Sequence, residues 1–201
     1  MDAQTPSTKT PVGRLEDCGA YRRLVIERDL DHGATDVWEA LTRPDELQAW
    51  IGTWWGTPGA GQTVMFQMTA EGESTEPVEA LVEECLPVES LRVTFASDRV
   101  VWRVGVELAP QGSARTHLRF VMRVHDDEVV SDIGPGWEYY LDRLAAALAG
   151  EAMPAWEDYY PAQCAYYGAL EPIEVHEPFV PAAHGPGPEH LPGEPGSRRT
   201  A

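Results

Sequence analysis

Apolar and polar residues alternate through the middle of this chain. Val64, Phe66 and Met68 fall on one side of an extended segment, and Leu91, Val93 and Phe95 on one side of another. Val100, Trp102, Val104, Val106 and Leu108 share a face, with Arg103 and Glu107 turned away. Thr116, Leu118, Phe120, Met122 and Val124 do the same against Arg115, His117, Arg119 and Arg123. A period of two is what an antiparallel sheet with one dry face requires. Glu79 to Leu86 reads as a less regular strand, and Tyr21 to Leu30, with Leu24-Val25-Ile26 at its centre, as the first strand. Pro87 to Ser90, Ser97 to Arg99 and Pro110 to Ser113 carry the residues of hairpin turns.

Helical patterns bracket these strands. In VWEALTRPDELQAW, Val37 to Trp50, Val37, Trp38 and Leu41 give one apolar face, and Leu47, Trp50 and Ile51 a second. Thr35 or Asp36 suits the first N-cap, and Pro44 ends that helix and opens the next. After Gly134-Pro135-Gly136, Trp137, Leu141, Leu144 and Leu148 recur at helical spacing, flanked by Tyr140 and Ala147. Glu138, Asp142 and Arg143 are expected on the wet side, and Gly150 is placed to stop the helix. The outer segments lack such periodicity. Residues 1–18 read as a flexible leader, 151–170 as an aromatic helical appendage, and 171–201, rich in Pro and Gly, as a disordered tail. The folded domain is then 19–150.

The order is a strand, two short helices, about five antiparallel strands and a long closing helix. Val37 to Thr42 with Pro44 and Trp50, and Gly136-Trp137 with Leu141 and Leu144, resemble the family related to the activator of the 90-kilodalton heat-shock chaperone's ATPase. That family lies in the SRPBCC superfamily with the START and birch-pollen-allergen folds, and the resemblance spans about Arg22 to Gly150. It implies an α+β helix-grip domain, a curved sheet of about six strands around the C-terminal helix with a cavity between them. Members of the superfamily bind lipids, sterols, aromatic polyketides and hormones, and some carry out cyclisation or hydrolysis. The chaperone partnership is implied more weakly, because other chain segments share that work in the eukaryotic activators.

Charge narrows the partners. With 33 acidic against 15 basic residues the net charge is −18, which speaks against nucleic acid and against an anionic membrane surface. Cys18, Cys85 and Cys164 form neither a disulfide framework nor a zinc motif. The polar N-terminus lacks an apolar targeting core, so a cytoplasmic protein is expected.

Several motifs were weighed as chemistry. Gly56 to Thr63 imitates a phosphate-binding loop, but Gln62 stands in place of the lysine and a strand pattern follows it. His125-Asp126-Asp127-Glu128 offers ligands for a hard cation, yet consecutive acids in an acidic chain read as a solvated turn. His176, His184 and His190 lack ligand spacing, and there is no G-x-S-x-G nucleophile motif. No catalytic residue, metal or cofactor is therefore assigned.

The aromatic set is the functional candidate. Phe66, Met68, Trp102, Phe120 and Met122 are expected to face inward, opposite Trp137, Tyr140 and Leu141 on the helix, with Tyr140 and Thr116 as polar groups. These side chains either line a ligand pocket or fill a core. Trp54-Trp55 and the aromatics of 151–170 either cap the cavity, packed on the same chain, or meet another subunit or protein. Three functions follow: binding of a small hydrophobic or aromatic ligand, a protein-interaction or co-chaperone-like role, and a cyclase- or hydrolase-type enzyme in the same cavity. Two or more polar groups facing into a void would favour the enzyme, and a filled interior the interaction protein.

Overall fold

A computed structural model describes residues 9–69, 71–72, 75–96, 101–125 and 129–175. The order of elements is β1 (Arg14–Asp17), β2 (Arg22–Leu30), α1 (Ala34–Thr42), α2 (Pro44–Leu47), β3 (Gly52–Trp55), β4 (Thr63–Met68), β5 (Val78–Leu86), β6 (Ser90–Ala96), β7 (Val101–Pro110), β8 (Thr116–Val124), α3 (Val130–Ala149), a 3₁₀ turn (Trp156–Asp158), α4 (Cys164–Gly168) and β9 (Ile173–Glu174). The sheet runs β3-β4-β5-β6-β7-β8-β2-β1-β9, antiparallel except where β9 joins β1. It is curved and unclosed, and α3 lies in its concavity, the helix-grip arrangement.

The alternating segments form the body of this sheet. Leu24 pairs with Met122 and Ile26 with Phe120 across β2 and β8, while Val104 and Val106 meet the same two residues from β7. All of β8's apolar positions from Leu118 to Val124 are buried on that side. Leu141 and Leu144 of α3 complete the core. The irregular pattern of β5 has a cause, because its register with β6 shifts between Val82 and Glu84. A bulge of this kind inserts one residue and breaks the period of two.

Four expectations are corrected. Among the described residues the sheet has nine strands rather than about six. The additional ones, β1, β3 and β9, span four, four and two residues, too few for alternation to register. They place parts of the presumed leader, connection and tail in the sheet. α1 begins at Ala34 with Gly33 as N-cap and no side-chain cap, so neither Thr35 nor Asp36 plays that part. α3 starts at Val130 and carries Pro135 within it. Finally, the outward face of α3 is not wet: Glu138, Tyr139 and Arg143 are buried.

That burial comes from segments distant in sequence. Tyr167 of α4 and Tyr159 are almost fully buried against α3. A methyl group on Gly134 or Gly13 would overlap the Tyr167 side chain, so both glycines make room for this ring. Glu138 accepts hydrogen bonds from the backbone N–H of Val12 at 2.8 Å and Gly13 at 3.0 Å, from the Tyr167 hydroxyl and from Arg28. Asp142 accepts from Arg28 Nε at 2.9 Å and from the Tyr159 hydroxyl at 2.6 Å, and pairs with Lys9 Nζ at 3.0 Å. Residues 151–170 therefore pack on their own chain, against α3 and the segment that leads into β1. Gly150, with φ 66°, ends the helix as its sequence position requires.

Candidate functional site

The core does not fill the whole space between α3 and the sheet. Two adjoining lobes remain. The inner lobe, about 180 Å³, lies beneath α1 and α2 and is walled by residues such as Leu41, Trp54, Ala80, Val93, Val106 and Leu141. The outer lobe, about 580 Å³, reaches the N-terminal half of α3 and includes Met68, Trp102, Ile133 and Tyr140. Ile51, Phe66, Phe95 and Trp137 wall both, forming a collar between them.

Each wall has a local reason for its position. Alternation along β4 and β6 sends Phe66 and Phe95 to the same face, with ring centroids 5.1 Å apart. Trp137 lies on Phe120 with centroids 4.3 Å apart, and its Nε1–H points to Met122 Sδ at 3.1 Å. Trp54 Nε1–H donates to the Thr42 carbonyl at 2.8 Å, and Trp50 Nε1–H to the Ala40 carbonyl at 2.9 Å. These bonds fasten the α1–α2 unit to the sheet and satisfy polar atoms that burial would otherwise make costly.

Polar groups gather at the outer lobe. The inner lobe's side chains are apolar apart from Thr42 and Cys85, and the Thr42 hydroxyl is committed to the Trp38 carbonyl at 2.7 Å. The outer lobe includes Thr75, Glu76, Asp132 and Tyr140. The Tyr140 and Tyr139 hydroxyls donate to the two oxygens of Glu71 at 2.8 and 2.9 Å. Arg143 Nη1 donates to the Tyr139 hydroxyl at 3.0 Å, and its Nε to the Trp50 carbonyl at 2.8 Å. Burial, with the Glu71 carboxylate beside it, pushes the Tyr140 phenol well above its ordinary pKa. Tyr140 thus stays a hydrogen-bond donor and does not serve as a base near neutral pH.

Of the nine residues singled out in the sequence, Phe66, Met68, Trp102, Phe120, Trp137, Tyr140 and Leu141 line these lobes. Thr116 and Met122 do not. Thr116 is completely buried and donates to the His32 carbonyl at 2.8 Å, so it holds the β2–α1 turn. Met122 lies beneath Trp137. Sequence reasoning missed Phe95, although its alternation with Leu91 and Val93 already gave it this face. It also missed Ile51, whereas Trp54, one of the two tryptophans offered as a cap of the cavity, lines the inner lobe. Trp55, the next residue, is exposed.

The phosphate-loop imitation at Gly56 to Thr63 is the β3–β4 connection, where Pro58 and Gly59 touch the inner lobe. His117 carries an ion-pair contact to Asp29 at 2.9 Å on the outer face of the sheet. Asp126 to Glu128, Val100 and the histidines at 176, 184 and 190 lie outside the described residues. Among the described residues, no group of three His, Cys, Asp or Glu is arranged to hold a metal, and no helix is long and apolar enough to cross a membrane.

Comparison with known proteins agrees with this geometry. The family described as activator of Hsp90 ATPase homolog 1-like protein matches residues 31–149, from the β2–α1 turn to the end of α3. The crystal structure of CalU16 from Micromonospora echinospora superposes with a TM-score of 0.64 at 20% identity, covering 80% of this chain and 96% of that one. A solution structure from Bordetella parapertussis gives 0.61 at 22% identity, covering 88% and 100%. DynU16, a protein of the dynemicin biosynthetic locus, gives 0.56 at 19% identity, covering 69% and 50%. No curated protein matches the chain. The matched span carries the helices and strands that build both lobes, and the chain belongs to the activator of Hsp90 ATPase homolog 1-like family of the SRPBCC superfamily.

Proposed function

We propose that this protein binds a small apolar or aromatic molecule between the sheet and α3. The observation that carries the reading is the pair of adjoining lobes, walled by apolar side chains and separated by an aromatic collar. A void of this kind is a net cost to an empty protein, because its lining atoms lose dispersion contacts and stability falls with cavity volume. Cavities on the order of 150 Å³ with such walls accept benzene-sized guests. The inner lobe is of that size, and the outer lobe falls in the range of small-molecule sites, roughly 300–1,000 Å³.

Binding is favoured over chemistry by the same lining. Cys85 is the one titratable side chain among the inner lobe's described walls, and nothing there is placed to activate it. The polar groups of the outer lobe orient a guest rather than attack it. In this reading the protein acts in the cytoplasm, where its free cysteines remain reduced.

Native mass spectrometry of protein purified from its own cell extract tests the proposal. The expected result is an added small mass that is lost on denaturation. The purified, delipidated protein should also enhance the fluorescence of N-phenyl-1-naphthylamine, and Ala80→Phe, which fills the inner lobe, should reduce that enhancement severalfold. Protein that carries no added mass and leaves the probe dark would overturn the reading.

A further inference from the structure

We infer that the ligand of this cavity carries a positive charge, an amine or quaternary ammonium group that sits in the outer lobe while its apolar body points inward. The inference rests on the binding reading above and adds the chemical class of the guest.

The walls of the outer lobe are aromatic on several sides. Phe66, Phe95, Trp102, Trp137 and Tyr140 all contribute. Indole and phenol faces carry negative electrostatic potential and attract a cation lying within roughly 6 Å of the ring centroid. A neutral guest gains contact area and, if aromatic, ring stacking from these walls, and a cationic group adds its attraction to the ring faces.

The charged side chains among the described lining residues have one sign. Glu76 and Asp132 line it, and neither has an ion-pair partner among the described residues. Glu71 stands at its edge, fixed by the Tyr139 and Tyr140 hydroxyls. These donors are neutral, so they orient the carboxylate without cancelling its charge. No Lys, Arg or His is among the described residues of the lining. Among the described residues, Arg143 is buried behind Tyr139 and turned to the Trp50 carbonyl. Against the described lining, an anionic guest would meet the Glu76 and Asp132 carboxylates and no cationic side chain, whereas a cationic guest meets both the rings and the acids. The net charge of −18 acts in the same direction at longer range.

The test compares three compounds with one apolar body: (2-naphthylmethyl)trimethylammonium, 2-naphthylmethanol and 2-naphthoate. Binding is read by isothermal titration at 0.15 M salt, where the field of distant surface charge is screened beyond roughly 8 Å. The ammonium compound is expected to bind roughly tenfold tighter than the alcohol, and the naphthoate more weakly than either. Glu76→Gln with Asp132→Asn should lower the ammonium-over-alcohol preference severalfold. Glu89→Gln, in the β5–β6 turn, should leave the preference intact and so controls for net charge. Both sites are exposed, so these variants keep the fold.

The outcomes separate the two proposals. If the alcohol binds as tightly as the ammonium compound, or the naphthoate binds best, the charge inference falls and the apolar-ligand reading stands. A preference that persists in the double variant, or is lost equally in Glu89→Gln, also overturns it. If none of the three binds, both readings fall together.

Discussion

The two long faces of α3 are built in opposite ways. Toward the sheet, Trp137 and Leu141 meet walls that leave two lobes open. Away from the lobes, Glu138 and Asp142 are enclosed by Arg28 of β2, Lys9, Tyr159, Tyr167 and the backbone at Val12 and Gly13. The sealed side holds two paired carboxylates, and the loose side is apolar. The contrast has a physical use. A helix that must wall a void loses packing on that face, and contacts on its far side hold it in place. The appendage therefore supports the cavity from behind.

Four perturbations would break or sharpen this contrast. The largest effect is expected from removing residues 151–201, which strips Tyr159 and Tyr167 from α3 and leaves Glu138 without one donor. Each buried aromatic contributes roughly 2–3 kcal/mol, so a loss of about 5 kcal/mol in a urea melt is expected. A shortened chain of unchanged stability would mean that the far side of α3 is not braced. Glu138→Ala comes next, at about 3–5 kcal/mol, because it removes one of the two carboxylates on buried Arg28 and the acceptor of the Val12, Gly13 and Tyr167 donors.

Gly134→Ala should cost about 1–3 kcal/mol, since the new methyl must displace the Tyr167 ring. Near-ultraviolet circular dichroism would register the loss of tyrosine order. Trp102→Ala gives the smallest expected change. Trp102 is 36% exposed and borders the outer lobe, so its removal should cost far less than the roughly 3–5 kcal/mol of a core tryptophan. It should weaken binding of the ammonium compound instead. A full core-sized loss would show that the outer lobe is packed rather than open.

Acid offers a further probe of the sealed side. Burial acts to raise the pKa of Asp142, but Arg28, the Tyr159 hydroxyl and Lys9 outweigh it and hold the carboxyl below its ordinary value. A group whose folded pKa lies below its unfolded one adds stability that is present above the unfolded pKa, ~3.9, and lost as pH falls through the folded value. Denaturation followed from pH 5 to pH 2 should show a steeper loss for the parent chain than for Asp142→Asn. Parallel curves would remove Asp142 from the acid response.

How much of this was legible in the sequence follows from how local each interaction is. The six longer strands announce themselves because alternation needs only neighbours along one segment. Trp137, Leu141 and Leu144 likewise declare a buried stripe. The inward aromatic set of the cavity came from the same rule, and it erred where the rule says only which face a residue takes. Thr116 and Met122 take the inward face, yet one turns to the His32 carbonyl and the other lies under Trp137.

The sequence by itself determined the sheet with one dry face, the long closing helix and the resemblance that fixes the architecture, because hydrophobic period is a property of consecutive residues. Tertiary structure alone decided the rest. Glu138 looks like a solvent-facing acid until residues more than 100 positions away in sequence donate to it. Gly13 and Gly134 acquire meaning only with Tyr167 beside them. Whether the space above Trp137 is full or empty depends on the summed volumes of side chains from two helices and a curved sheet, and no local pattern encodes that sum.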